Sequence, residues 1–221
     1  MEQNRIFDII INLLEGIKSQ NRLIVHNKDK EMVLNGCAYL LNQTIRQYQV
    51  PQSHYFVSKK AQELWNQIST DSIFNYTYQN KVTKNIDGTV IIEKFRGGER
   101  NPYATTSISR RDKFTYKDVF TDEHIVTVSN IIDELLALPV YDYTSIEKIL
   151  NKIYICKMLK HEDRSIANKK DRSTDYREVI IFDYRNADIF LTTFDYKANL
   201  EQLLLEKKKE LAALELELHL T

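Results

Sequence analysis

Apolar residues in the first quarter of the chain recur at three- and four-residue intervals, as Ile6, Ile9, Ile10, Leu13, Leu14 and Ile17, and again as Val33, Cys37, Leu40, Leu41, Ile45 and Tyr48. That spacing lines one face of an α-helix, so two amphipathic helices packed on a core are expected. A third helix is expected after Ser58, whose hydroxyl caps the free amides of the first turn, with Ala61, Leu64, Trp65 and Ile68 on its apolar face. The pattern then changes. Residues 73–84 and 89–95 are rich in Tyr, Thr, Val and Ile, and Asn85 to Gly88 lie between them. This is the signature of a β-hairpin, with Gly97 and Gly98 ending its second strand.

A polar run from Glu99 to Asp112 separates the hairpin from Phe114, Tyr116 and Phe120, which lead to His124. Beyond it Val128, Ile131, Ile132, Leu135, Leu136 and Leu138 predict a buried helix closed by Pro139. A second helix follows from Thr144 to about Lys152, with the Thr144 or Ser145 hydroxyl as its cap. The apolar run Ile153 to Leu159 reads as a strand, Asp175 to Tyr184 as a helix, Asp188 to Phe194 as a strand, and Asp195 to Leu220 as a long helix. In that last helix Leu204, Leu211 and Leu218 are seven apart, and Leu200, Lys207 and Leu214 take the companion positions. Because Lys207 interrupts the seam, packing on the protein's own body, pairing with a second copy and binding another protein all remain compatible with it. The expected class is α+β: a helical region over 1–57, an α+β core over 58–194 and a C-terminal helix over 195–221.

Composition adds limits. The chain has 221 residues, 43% of them hydrophobic, enough to bury a sizeable core. Basic and acidic side chains both total 31, so overall charge points neither to nucleic acid nor to a membrane. Local charge is more telling. Residues 96–118 carry six basic and three acidic side chains, residues 157–177 seven and four, and residues 121–150 between them one and six. An acidic stretch flanked by basic ones suits a metal site in a phosphate-binding surface, and an ordinary salt-bridged surface equally. Cys37 and Cys156 sit among apolar neighbours and read as two buried free thiols of a reducing compartment. Asp8 and Asn12 break the first apolar run, so neither a signal peptide nor a membrane span is expected there, and the protein is expected to be cytoplasmic. No Gly-rich phosphate loop of Walker or dinucleotide type occurs, which argues against nucleotide-driven chemistry.

The candidate chemistry is concentrated in Asp122-Glu123-His124 and His161-Glu162-Asp163-Arg164. An imidazole that is neutral near pH 7 accepts a proton, and neighbouring carboxylates hold a hard divalent cation. Adjacent strand residues point to opposite faces, so Glu123 and His124 enter one site only if a bulge or turn interrupts the strand. Plain structural roles compete at each position. Asp122 or Glu123 would cap the following helix, His124 would be an interior imidazole or part of that cap, and the second tetrad would be a surface ion-pair cluster. Arg100, Arg110 and Arg111 in the polar run are able to donate to phosphate, as solvated loop residues also are. His26 and His54 lack acidic or cysteine partners at ligand spacing.

Residues 120–138 followed by 145–166, with Glu123-His124 before one helix and Leu159 to Arg164 after the next strand, resemble a bacterial and phage group related to HNH endonucleases. These belong to the His-Me finger class, in which a β-hairpin and a helix hold one divalent metal. The resemblance covers roughly residues 58–190, and the Glu-His and Glu-Asp-Arg clusters are its motif-like parts. It implies an HNH-like ββα-type core and a metal-dependent endonuclease acting on DNA, in restriction or in phage and bacterial defence. His124 would be the general base with Glu123 beside it. Asp122, Glu162, Asp163 and His161 would be the ligand candidates for Mg²⁺ or Mn²⁺, while Arg96, Arg100, Arg110, Arg111, Lys113 and Arg164 would contact the nucleic acid. The alternative from a different class is a non-catalytic phage or bacterial binding module, in which the Glu-His pair only caps a helix.

Overall fold

The computed structural model describes residues 2–22, 27–68, 70, 72–75, 80–84, 90–94, 113–115, 119–167 and 172–219. The class is α+β. Helices α1 (Glu2–Arg22) and α2 (Asn27–Arg46) pack together. Strand β1 (Tyr55–Val57) runs into α3 (Lys59–Ile68). The expected hairpin is present as β2 (Asn80–Lys84) antiparallel to β3 (Val90–Lys94), with β4 (Lys113–Thr115) on the other side of β2. Its first strand begins later than the composition suggests, because Ile73–Asn75 forms a 3-10 turn. Strand β5 (Phe120–His124) leads to α4 (Val128–Ala137) and α5 (Tyr143–Leu150), then to β6 (Ile155–Leu159) and the short α6 (Lys160–Ser165). Helix α7 (Tyr176–Glu178) continues as a π-helix over Val179–Tyr184, and α8 (Tyr196–His219) follows. Among the described residues no helix is long and apolar enough to cross a membrane.

The sheet that organises these helices has the order β1-β6-β5, with β6 parallel to β1 and antiparallel to β5. Alternation places Tyr55, Val57, Phe120, Ile155 and Leu159 on one face and Phe56, Cys156 and Met158 on the other. The first face meets two cores. One contains Ile10, Leu14, Leu41 and Ile45 of α1 and α2 with Ile131, Leu135, Ile146 and Leu150 of α4 and α5. The other contains Ala61 and Trp65 of α3 against Val57, Phe120 and Leu159. The opposite face packs on Ile180, Ile181 and Tyr184 of the π-helix and on Leu203 of α8. Helices thus cover both sides, and all five β6 residues are buried.

Several local expectations give way to closer competitors. Asp142, not Thr144 or Ser145, caps α5, its carboxylate accepting from the Ser145 amide at 2.9 Å and from the Ser145 hydroxyl at 2.8 Å. Residues 188–194 form no strand: a single bridge joins Leu191 to Ser58, because β1 is too short to offer a longer ladder. Of the two free cysteines Cys156 is buried but Cys37 is only half-buried. The Ser58 cap is present, and it does more than expected. Its hydroxyl accepts from the Ala61 amide at 3.1 Å and donates to Glu162 Oε2 at 2.6 Å. The same oxygen accepts from the Leu159 amide at 2.9 Å, so one buried carboxylate ties the start of α3 to the start of α6.

Losing a helix cap costs about 1 kcal/mol, and removing a donor from a buried carboxylate about 1.5–3 kcal/mol. Ser58→Ala is therefore expected to lower unfolding stability by roughly 2–4 kcal/mol, measured as a shift of the urea midpoint at unchanged slope. A midpoint equal to wild type would show that water replaces the hydroxyl at no cost.

Candidate functional site

Two carboxylates and an imidazole leave β5 in different directions. The ladder to β6 is unbroken from Phe120 opposite Leu159 to His124 opposite Ile155, so the bulge that would bring Glu123 beside His124 does not form. Alternation sends Asp122 and His124 to one face and Glu123 to the other. A cleft of about 460 Å³ opens at this edge, lined by Asn42 and Arg46 of α2, residues 121–124 of β5, Thr127, Val128 and Ser129 at the start of α4, and Asp163 of α6.

Both carboxylates are held by a partner that the fold supplies. Asp122 Oδ1 accepts from Lys157 Nζ at 3.0 Å, and the lysine is 1% exposed in the middle of β6. The lysine ammonium also lies 5.7 Å from the centre of the Tyr55 ring. Arg46 stands at the cleft with its Nε donating to Asn42 Oδ1 at 2.8 Å. His124 is held neutral: burial, helped by the positive Arg46 and opposed by Asp122, lowers its pKa to about 4. Thr127, not Asp122 or Glu123, caps α4, accepting from the Asn130 amide at 3.2 Å. Both acidic side chains are spent on cations instead.

Glu123 borders the cleft, but its Oε1 accepts from Arg172 Nη1 at 2.7 Å. The Arg172 side chain is fully buried. The same Nη1 lies 3.5 Å from the His124 and Ile125 carbonyls, the guanidinium sits 5.9 Å from the centre of the Tyr184 ring, and the Arg172 carbonyl accepts from Asn130 Nδ2 at 2.8 Å. Arg172 thereby fastens the end of β5, which carries His124, from the side away from the cleft. Its Nε and Nη2 and the Tyr184 hydroxyl have no hydrogen-bond partner among the described residues.

The second tetrad spreads around a helix, since successive residues turn by about 100°. Asp163 borders the cleft, Glu162 points inward to Ser58 and Leu159, and His161 and Arg164 are exposed. The structure therefore brings together His124, Asp122, Asp163 and the edge of Glu123, and separates them from the Glu162 carboxylate. Among the described residues no three His, Cys, Asp or Glu side chains form a metal-holding group. Arg96, Arg100, Arg110 and Arg111 lie outside the described residues, as does His26. Lys113 is a β4 position opposite Thr83.

No protein-family model, curated protein or solved structure matches this chain. The site is therefore read from its own chemistry. Sequence reasoning passed over three of its basic groups. Lys157 carried a signal, a single cation inside the apolar run Ile153 to Leu159. Arg46 had only its place beside the buried Ile45, and Arg172 had none, since it follows Lys169, Lys170 and Asp171 in a strongly charged stretch.

Two outcomes follow from these partners. Removing one member of a buried ion pair typically costs about 3–5 kcal/mol, because the other charge is left without compensation. Arg172→Met is expected to destabilise by that order, and Arg172→Met/Glu123→Gln to recover at least half of the loss in a double-mutant cycle of urea unfolding. Equal stability of the single and double variants would show that the pair is not coupled. For His124 the unfolded chain binds a proton near pH 6.5 that the folded chain refuses until about pH 4. Stability is therefore complete above pH 6.5 and falls as pH drops towards 4, by at most about 3 kcal/mol at roughly 1.4 kcal/mol per pKa unit. His124→Gln should lose distinctly less stability than wild type between pH 7 and pH 4.5, and parallel losses would place the proton uptake elsewhere.

Proposed function

We propose that this protein is a metal-dependent endonuclease of HNH-like type that hydrolyses phosphodiester bonds, with DNA as the expected polymer. The observation that carries the reading is the shared cleft of a neutral imidazole, two carboxylates and an arginine: His124, Asp122, Asp163 and Arg46. Hydrolysis needs a base that is unprotonated near pH 7, and His124 meets that condition. Its imidazole would take the proton of the attacking water.

Arg46 is the cation available to hold the phosphate, and the N-terminal turn of α4, which opens on the cleft at Thr127 to Ser129, favours an anion through its free amides and dipole. Mg²⁺ or Mn²⁺ is the ion such carboxylates would take, because these ions keep most of their waters and are bound through one or two carboxylates rather than a full protein cage. Asp122 and Asp163 would hold the ion, which when bound supplies compensation for charge on the leaving oxygen. Glu123 acts differently from the role its sequence position suggests: paired with Arg172, it fixes the strand that carries the base. Restriction or defence against phage is the setting that the resemblance implies.

A non-catalytic binding module is the second reading, favoured by one feature: Asp122 and Glu123 each already have a cationic partner, Lys157 and Arg172. Supercoiled plasmid, single-stranded DNA and RNA incubated with the protein and Mg²⁺, Mn²⁺ or EDTA decide between them. Cleavage is expected only with metal, and His124→Ala should lower its rate by about 10²–10⁴-fold, the usual contribution of a general base. Folded wild-type protein that cuts none of the three would instead overturn the nuclease reading in favour of the binding module.

A further inference from the structure

Strands β1 and β6 lie side by side and parallel, and each runs directly into a helix, α3 after Ser58 and α6 after Leu159. The buried Glu162 joins the two helix starts, so their first turns form one ledge. The side chains that this ledge turns outward are basic. Lys59 and Lys60 lie in the first turn of α3, and Lys160 and Arg164, four residues apart, share one side of α6 with His161 beside them. Lys60 is paired with Asp188 at 3.1 Å, and Glu63 is an exposed acid one turn further along α3. Lys59, Lys160 and Arg164 make no ion pair among the described residues. Cations in a first helical turn also oppose the helix dipole, so helix stability does not account for them. An aromatic ring stands next to these charges: Phe190 is 39% exposed, and Lys59 Nζ lies 5.9 Å from its centre. Ledge and cleft are continuous, because Asp163, the neighbour of Arg164, borders the cleft.

We propose that this ledge is the track of a single-stranded nucleic acid, with phosphates on Lys59, Lys160 and Arg164 and one base stacked on Phe190. Cations without a protein partner bind phosphate and release its counterions, which supplies affinity without regard to sequence. An exposed aromatic face takes any base by stacking, but only a strand whose bases are splayed out can offer one. The two features together therefore select an unpaired strand over a duplex, whose bases stay stacked inside. The track extends the nuclease reading of the cleft and rests on it for where the strand leads, past Arg164 to Asp163.

Fluorescence anisotropy of a labelled oligodeoxythymidylate with the full chain in EDTA, between about 50 and 200 mM salt, tests the track apart from any cleavage. Each phosphate contact of a single strand contributes about 0.7 to the slope of log affinity against log salt, so Lys59→Gln/Lys160→Gln/Arg164→Gln should lower that slope by roughly 2. Phe190→Ala should weaken binding about fivefold or more at an unchanged slope, as the loss of one stacked base does. Both variants should keep wild-type helicity by circular dichroism, since none of the four side chains lies in the core. A triple variant with the wild-type slope overturns the track, and the nuclease reading then stands on its own if the same wild type cuts plasmid with metal. Wild type that leaves the oligonucleotide unbound at the lowest salt overturns the track outright. Phe190→Ala that binds as tightly as wild type, or a duplex of equal length that binds more tightly than the single strand, overturns the assignment to an unpaired strand.

Discussion

The β1-β6-β5 sheet and the helices on its two faces are built on β6, a five-residue strand with no solvent on either face. A central strand of this kind must be apolar on both sides, because any polar group in it has to find its partner inside the fold. Ile155-Cys156-Lys157-Met158-Leu159 obeys the rule at four positions and breaks it at one. The buried Lys157 ammonium requires an anion at the same level of the sheet, and the antiparallel register puts Asp122 directly opposite. The exception to the apolar pattern therefore sets where the acidic strand must lie, and with it the location of the cleft.

The same economy of charge runs through the neighbouring elements. Glu123 faces the other side of the sheet and meets Arg172, and Glu162 turns inward to hold two helix starts. These carboxylates add to the burial that pushes the Cys156 thiol well above its ordinary pKa, so this cysteine is an inert packing residue at neutral pH. What faces the cleft is a smaller set: an imidazole kept neutral by burial and by Arg46, Asp122, and Asp163 from the following helix. Of seven charged or imidazole side chains in two short clusters, the fold commits some to its own support and leaves few for chemistry. Support and the candidate site are coupled here, since Arg172 grips the carbonyls of His124 and Ile125 from behind.

The longer helices, the hairpin and the Ser58 cap were legible in the sequence because each is local, whereas the short helix over Lys160–Ser165 was not expected. A three-and-four-residue stripe such as Ile6 to Ile17, an alternation with a turn such as 80–94, or a hydroxyl three residues before an amide is stated within one or two turns of chain. The clustering of candidate chemistry at 122–124 was legible for the same reason. Direction was half legible: alternation required Asp122 and His124 to share a face, and only the unbroken β5–β6 register decided that no bulge adds Glu123 to them.

Long-range pairing was decided by the tertiary structure alone. That β1 lies parallel to β6, that Arg172 reaches Glu123 forty-nine residues away and that Ser58 meets Glu162 across a separation of 104 residues depend on which surfaces the helices leave available. The strand expected at 188–194 fails on the same account, because a strand exists only where a neighbour offers a ladder. The sequence by itself determined the periodic elements, the buried faces and the two places where ionisable groups concentrate, since these are carried by covalent neighbours. Which of those groups neutralise one another and which meet in a cleft was decided only by the fold, since a charge is satisfied by whatever lies within a few ångströms, however distant along the chain.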